Sequence, residues 1–467
     1  MDFSTIPFLF FMLPLSLLLY FIAPKRLKNT ALLLVSLLFF SWGVPEYLVL
    51  LLCSIFFNYF TALELDAHRK NNRLHGARAV LIASVVVNLL LLGFFKYYGF
   101  LVENLNSLFG THWEARVLPA PIGLSFYTFT LLSYLFDVYR GKAPATRNIL
   151  DFSLYVTFFP KLVSGPIVQY SDMAQQLRNH PFSWDKFGSG TRLFLIGLGK
   201  KMLLANFLGT VFTSITALPM TQVTFITSWL GALSYSLMLY LDFSGYSDMA
   251  IGLARMFGFE FKSNFDYPYL SNSITDFWRR WHISLGSWFK EYVYIPLGGS
   301  RVGTARTIRN LLVVWFLTGI WHGANWTFLF WGLWHGLLLV LEKFVFRRFA
   351  EKLPAFFKHF FTLLLVIIGW VFFFSDSLPM AFGWLGRMIG LGGFFQSADL
   401  YFLAGSWLLI LVSIFACFPV GATLGNNLMH KGSAWKVLSI IFFAAILILS
   451  LACMMNDTYT TFLYAQF

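Results

Sequence analysis

Three of the chain's nine histidines, His282, His322 and His335, lie in one stretch, residues 276–336. The same stretch holds eight of the sixteen tryptophans, which are Trp278, Trp281, Trp288, Trp315, Trp321, Trp326, Trp331 and Trp334. An ionisable side chain beside long apolar runs is costly to bury, so it is a functional candidate by default. Residues 276–336 are therefore the predicted chemical centre of the chain.

His322 stands in WFLTGIWHGANW, between Trp321 and a Gly-Ala-Asn turn that ends at Asn325. An imidazole in apolar surroundings stays neutral, because desolvation disfavours its cation. A neutral imidazole can act as a general base that takes a proton from a hydroxyl as its oxygen attacks a carbonyl carbon. The alternative is a packing histidine bonded to a nearby carbonyl, and the spacing does not separate the two.

His282 stands in DFWRRWHISLGSWF. One continuous helix through it would place four apolar side chains on one side, Trp278, Trp281, Leu285 and Trp288. An interfacial helix anchored by tryptophan and by Arg279 and Arg280 would explain these residues, but not the histidine. A functional His282 would orient the donor or the acceptor, or support His322.

The other polar candidates each have a structural alternative. His335 follows Trp331 by four residues, so both can share a helix face, and packing is its favoured role. Asp242 lies deep in an apolar run, where it either serves a site or pairs with a basic residue of the bundle. Lys161 either lines a cavity near a phosphate-bearing donor or extends to the membrane interface. No HExxH motif or Cys/His cluster has metal-ligand spacing, so a metal site is not expected.

The composition predicts a polytopic membrane protein. The chain has 467 residues, 58% hydrophobic and 12% charged, with a mean hydropathy of +0.68. The formal net charge of +13 comes from basic residues clustered in short loops between apolar runs, which is typical of cytoplasmic loops and not of nucleic-acid binding. Three widely separated cysteines give no disulfide framework. The chain also lacks a GxSxG elbow, a Walker A loop and a strand-linked GxGxxG.

The predicted fold is an all-α transmembrane bundle of about eleven or twelve spans, forming a single domain over 1–467 with a core at about 120–345. Basic loops at 24–28, 65–78 and 139–148 would be cytoplasmic, which places both termini, including the tail at 458–467, outside. The predicted spans are 5–23, 29–43, 46–64, 79–98, 118–138, 190–217, 224–250, 310–323, 326–345, 359–374, 402–420 and 435–454.

Two segments do not fit a simple crossing. Residues 149–170 are apolar but are interrupted by Pro160, Gly165 and Pro166, which predicts a broken or re-entrant helix. Residues 255–309 alternate amphipathic segments and turns and are rich in basic residues, which predicts helices along the inner membrane interface.

Several segments together resemble the membrane-bound O-acyltransferase family and, within it, the alginate O-acetyltransferase branch. They are FFSWGVPEYLVLLL at 39–52, PIGLSFYTFTLLSYLFDVYRG at 121–141, FFPKLVSGPIVQY at 158–170, residues 241–301 with WRRWHISL, and GIWHGANWTFLFWGLWHG at 319–336. The resemblance implies acyl transfer to a hydroxyl through a membrane-embedded tunnel, with His322 as the catalytic histidine and His282 at the family's second position. The candidate substrate-binding residues are Trp278, Trp281, Arg279, Trp321, Asn325, Asp242 and Lys161.

The resemblance also implies the substrates and the setting. The expected donor is cytoplasmic acetyl-CoA, with no bound cofactor, and the expected acceptor is an exopolysaccharide such as alginate. It is reached through a periplasmic SGNH-type acetyltransferase and the polysaccharide secretion machinery at the bacterial inner membrane. The alternatives are D-alanyl transfer, peptidoglycan O-acyl transfer, transport of a lipid-linked or anionic substrate, and a non-catalytic scaffold.

Overall fold

The computed structural model describes residues 2–115, 119–421 and 433–456, and every regular element in these ranges is a helix. The α-helices in chain order are α1 Leu13–Ile22, α2 Lys28–Gly43, α3 Leu48–Lys70, α4 Leu74–Phe109, α5 Leu124–Arg140, α6 Ile149–Thr157, α7 Phe159–Leu162, α8 Tyr170–Arg178, α9 Trp184–Gly199, α10 Asn206–Thr216, α11 Phe225–Met256, α12 Ile274–Arg280, α13 Ile283–Phe289, α14 Thr304–His322, α15 Trp326–Phe344, α16 Arg347–Lys352, α17 Ala355–Phe374, α18 Leu378–Met388, α19 Ser397–Ala416 and α20 Ser433–Met455. The predicted outer tail at 458–467 lies outside the described residues.

The all-α, multi-pass prediction is confirmed. Among the described residues, six helical segments are long and apolar enough to cross a membrane: Pro45–Lys70, Leu74–Phe109, Trp184–Thr216, Ala355–Phe374, Ser397–Ala416 and Ala434–Met455. Each coincides with a predicted span. The other six predicted spans are also helical but are shorter or less apolar, because several carry histidine, aspartate, serine and tryptophan inside the helix.

The structure corrects one predicted boundary. The predicted spans 79–98 and 118–138 are separated by a predicted mixed loop, but α4 continues through residues 99–109 of it without a break. Val102, in this last part of the helix, is buried. The helix ends at Gly110, which adopts a left-handed conformation with φ +65° and donates its N–H to the Asn106 carbonyl.

The predicted interruption in 149–170 is confirmed. Helix α6 ends at Thr157, and the four-residue α7 follows after Phe158. Pro160 has no N–H to donate, so a continuous helix cannot pass through it. The chain then turns closely at Gly165, where a Cβ would lie 2.5 Å from the Pro160 carbonyl oxygen.

The first of two compact units comprises residues up to 194 together with 249–262. Helix α3 packs on α4 and α5, and α2 packs on α6. Phe3, Phe8, Phe39 and Phe159 form a ring cluster in its core, with all four side chains buried.

The second compact unit comprises 195–248 and the described chain from 263 onward. Its closest helix pair is α14 and α15, which pack through glycine. A Cβ on Gly332 would lie 2.4 Å from the Trp315 carbonyl oxygen, and one on Gly319 would lie 2.6 Å from the Phe328 carbonyl oxygen. Small residues let membrane helices approach this closely. Helix α17 covers α15, and the short α18, which was not predicted, packs on α17.

Candidate active site

A cavity of about 1050 Å³ opens in the second unit. Its apolar wall includes Trp278, Trp281, Phe289 and Trp315, and His282 lies among the lining residues. Natural ligand pockets share this character, with mostly apolar and aromatic walls and a few placed polar groups. The volume is sufficient for a ligand of cofactor size.

The backbone breaks at His282, which corrects the predicted continuous helix through this region. Helix α12 ends at Arg280 and α13 begins at Ile283, so His282 is the residue that precedes α13. Its φ of +44° and ψ of +55° are left-handed, a conformation that non-glycine residues rarely adopt. Backbone strain of this kind persists only where surrounding contacts impose it, and it often marks functional sites.

The tryptophans around His282 were also considered as membrane-interface anchors, and two of them have a different environment in the structure. Trp281, Trp288 and Leu285 are buried in protein, so these side chains do not serve as headgroup anchors. Trp281 packs against Phe277 and Trp370 at centroid distances of 5.5 and 4.9 Å. These buried side chains pack together and stabilise the wall of the cavity.

His282 is held by a residue that sequence reasoning missed. Its Nδ1 lies 3.2 Å from Oδ1 of Asn264, a buried asparagine in the segment that follows α11. Its ring packs edge-on against Phe243 at 4.7 Å. Burial lowers the pKa of His282 to about 3, so the ring is neutral at physiological pH.

His322 is the last residue of α14 and is buried. Its ring contacts Trp321, Trp331 and Phe373 at centroid distances of 4.9, 4.7 and 5.2 Å. The Trp321 ring also lies 6.3 Å from that of His282. One indole therefore neighbours both histidines that were predicted to do chemistry, although His322 and Trp321 are not among the residues that line the cavity.

His335 lies on α15, fully buried. Its Nδ1 accepts a hydrogen bond of 3.3 Å from Nε1 of Trp278, and its ring contacts Trp331 at 5.2 Å. His335 therefore supports Trp278 from behind the cavity wall.

Helix α12 is tied to α15 by Glu342, a second residue that sequence reasoning missed. The Glu342 carboxylate accepts hydrogen bonds from Ile274 N at 2.6 Å and Thr275 N at 3.1 Å, and another from the Thr275 hydroxyl. These are N–H groups of the first turn of α12, which have no partner within the helix. Neither Glu342 nor Asn264 belongs to a recognisable motif. In the sequence, Glu342 resembles any polar residue at a helix end, and Asn264 resembles any turn residue.

The cavity lining contains more basic than acidic residues. The basic residues are Arg279, Lys290, Lys343, Arg347 and Lys358, and the acidic ones are Asp276, Glu342 and Glu351. All three acids are engaged within the protein: Asp276 pairs with Arg280 at 3.0 Å, Glu351 pairs with Arg347 at 3.2 Å, and Glu342 binds the start of α12. The positive excess favours an anionic ligand.

Three other candidates have structural contacts. Asn325 caps α15 by accepting from Thr327 N at 3.1 Å, and it donates to the Asp376 carbonyl at 2.9 Å. Asp242 forms a buried ion pair of 2.6 Å with Lys201. Lys161 belongs to the first unit, where its buried Nζ lies 4.6 Å over the Tyr155 ring.

The model of the membrane-bound O-acyltransferase (MBOAT) family matches residues 142–380, which include α12 to α15 and both candidate histidines. The chain belongs to this family. It is therefore a multi-pass membrane O-acyltransferase, and the family recognised from its motifs is confirmed.

The chain is 43% identical to "Probable alginate O-acetylase AlgI" of Azotobacter vinelandii, over 84% of this chain and 79% of the relative. It is 38% identical to the peptidoglycan O-acetyltransferase of Helicobacter pylori, over 84% and 80%. A more distant relative is the teichoic acid D-alanyltransferase of Bacillus subtilis, 25% identical over 68% of this chain and 88% of the relative.

Proposed function

We propose that this MBOAT protein moves acetyl groups from cytoplasmic acetyl-CoA across the inner membrane for O-acetylation of an exopolysaccharide such as alginate. The similarity to alginate O-acetylases over most of both chains carries the proposal. The cavity is the candidate site for the donor, and the candidate base is His322, whose neighbour Trp321 also lies 6.3 Å from the cavity residue His282.

The cavity suits an acyl-CoA in size and in charge. Its aromatic wall fits the apolar pantetheine arm, and Lys290, Lys343 and Arg347 can meet the nucleotide phosphates. We propose that these basic residues face the cytoplasm, as the positive-inside rule favours, with both termini outside.

In the proposed reaction, the acceptor hydroxyl oxygen attacks the thioester carbonyl as the His322 imidazole takes the hydroxyl proton. A C–O bond forms, the C–S bond breaks, and the proton passes from His322 to the departing thiolate, which leaves as the free thiol of CoA. Trp321 and Trp331 enclose His322, and exclusion of water by these rings limits hydrolysis of the thioester.

The acceptor completes the proposal. We propose that the acetyl group passes outward to a periplasmic SGNH-type acetyltransferase, which works with the polysaccharide secretion machinery to acetylate the polymer.

The test is the O-acetyl content of the exopolysaccharide in cells that lack the gene and are complemented with variants. His322→Ala and the closer-sized His322→Asn should both abolish acetylation while the protein accumulates normally in the membrane. His359→Ala is the matched control, because His359 bonds the Ser271 carbonyl at 3.0 Å and does not line the cavity.

Full acetylation by either His322 variant would contradict the role of this residue. Acetate found on peptidoglycan alone, or D-alanine on teichoic acid, would instead assign the acceptor chemistry of the other two relatives.

A further inference from the structure

We propose that Asn264 is a positioning residue, which holds His282 in the tautomer that carries its hydrogen on Nδ1 and its acceptor lone pair on Nε2. The inference rests on the proposed function, because it assigns how the second histidine is prepared for acyl transfer. Three observations carry it.

The first observation fixes the orientation of the Asn264 amide. The backbone N–H of Ser284 lies 3.1 Å from Asn264 Oδ1, and a backbone N–H can only donate. The atom that faces Ser284 must therefore be the amide oxygen. The amide nitrogen Nδ2 points the other way and donates to Ser247 Oγ on α11 at 3.0 Å.

The second observation is the contact with the imidazole. His282 Nδ1 lies 3.2 Å from Asn264 Oδ1. The Ser284 hydroxyl also donates to Asn264 Oδ1, at 2.9 Å. Since Oδ1 only accepts, an unprotonated Nδ1 would place two lone pairs against each other. The favourable state has the hydrogen on Nδ1, as in other sites where the partner of one ring nitrogen sets the tautomer.

The third observation is that Asn264 also fixes the backbone of His282. The Asn264 carbonyl accepts from Ile283 N at 2.9 Å, so one residue binds two consecutive N–H groups at the start of α13. Two residues further on, Asp266 N bonds the Arg280 carbonyl at 3.0 Å. These bonds hold the chain on both sides of His282 and account for its left-handed conformation.

The three observations give Asn264 a role that a packing residue would lack. A neutral His282 with hydrogen on Nδ1 carries its lone pair on Nε2. Because His282 lines the cavity, this nitrogen can accept a hydrogen bond from a substrate hydroxyl or thiol. Free rotation of the ring, or the opposite tautomer, would remove that acceptor.

The experiment compares Asn264→Leu and Asn264→Asp, assayed for acetyl transfer per amount of folded protein. Leucine keeps the branched shape of asparagine, although it is bulkier, and has no acceptor, whereas aspartate keeps an oxygen at the same place. Asn264→Leu should lose activity about tenfold or more, as when the partner that orients a functional histidine is removed. Asn264→Asp should stay within about threefold of the wild type, since its carboxylate accepts the same three donors.

His282→Ala and the double variant Asn264→Leu/His282→Ala test whether Asn264 acts through the histidine. The double variant should be no less active than His282→Ala alone, because removing one partner removes the interaction. Asn310→Leu is the matched control, since Asn310 is a buried asparagine of the same unit that bonds the Leu297 and Gly299 carbonyls. It should lose stability but retain activity per folded molecule.

Three results would overturn the proposal: full activity of Asn264→Leu, loss of activity in folded Asn264→Asp, or a double variant whose loss is the product of the single losses. If Asn264→Leu does not accumulate, the activity of Asn264→Asp decides alone. His322→Ala, assayed in parallel, separates the proposed function from the proposed role of Asn264. Full activity of His322→Ala would refute His322 as the base, whereas the Asn264 variants would still test whether Asn264 positions His282.

Discussion

Glu342 offers a sharp test of how the cavity is built, because it joins two helices through one carboxylate. It accepts from Ile274 N, Thr275 N and the Thr275 hydroxyl, and so attaches the start of α12 to α15. We expect Glu342→Gln to loosen this attachment, since an amide has one acceptor oxygen and its NH₂ group repels the second backbone N–H.

The loss of stability in Glu342→Gln depends on the contacts of α12 that remain in this variant. Ser273 still caps α12 by accepting from Asp276 N at 3.0 Å, so the helix itself should persist. The loss is one or two charge-assisted hydrogen bonds at a half-buried site, about 1–3 kcal/mol in total. In a chain of this length, that corresponds to a fall in Tm of a few degrees.

The functional effect should exceed the thermal one. Helix α12 carries Trp278 and Arg279, which line the cavity, and Trp278 depends on its position to bond His335. We expect the KM for the acyl donor to rise about three- to tenfold, which costs roughly 0.7–1.4 kcal/mol of donor binding.

The assays are thermal unfolding of the purified protein in detergent and acetyl transfer from labelled acetyl-CoA. Glu351→Gln is the control, since Glu351 also lines the cavity but forms an exposed pair with Arg347, a kind of contact that contributes little. If Glu342→Gln matches Glu351→Gln in both Tm and donor KM, Glu342 does not hold α12 in the position that donor binding requires.

Two further predictions concern packing in the same unit. Lys201→Met should destabilise the fold by about 3–5 kcal/mol, because it leaves the buried Asp242 carboxylate without this counter-ion. The double variant Lys201→Met/Asp242→Leu should restore the yield of folded protein in detergent. A normal yield of Lys201→Met alone would argue against a structural ion pair. Gly332→Ala should reduce folded yield severalfold, because its Cβ would meet the Trp315 carbonyl oxygen at 2.4 Å. Gly405→Ala, where nothing lies within 4 Å, should be neutral, and equal yields of the two would contradict close packing of α14 and α15.

The helical architecture was predictable where it depends on local chemistry. The break near Pro160 follows from a missing N–H, and the hairpin after His322 follows from the Gly-Ala-Asn turn, in which Asn325 caps α15. The ion pair of Asp242 was predicted as an alternative to a site role, but its partner was not identified. The partner is Lys201, which lies in a π-helical turn, Lys200–Ala205, that hydropathy does not indicate.

The break at His282 was not predictable, because residues 278–288 have the spacing of one continuous amphipathic helix. The contacts that interrupt it come from Asn264, whose carbonyl and amide oxygen replace the helical partners of Ile283 and Ser284. Such a tertiary contact leaves no periodic trace in the sequence. The tie from Glu342 to α12 spans 67 residues and was missed for the same reason.

The partners of the buried imidazoles separate histidines that look alike in the sequence. An indole N–H only donates, so the bond from Trp278 requires a bare Nδ1 on His335 and places the hydrogen on Nε2. That Nε2 faces Gly369, where a Cβ would lie 2.7 Å away, so His335 has its one lone pair occupied and its other nitrogen against a helix backbone. In the tautomer that we propose, His282 has the opposite arrangement, with Nδ1 donating to Asn264 Oδ1 at 3.2 Å. The contacts of His335 are those of a packing residue, whereas the tautomer that we propose for His282 keeps its acceptor nitrogen on the Nε2 side of the ring.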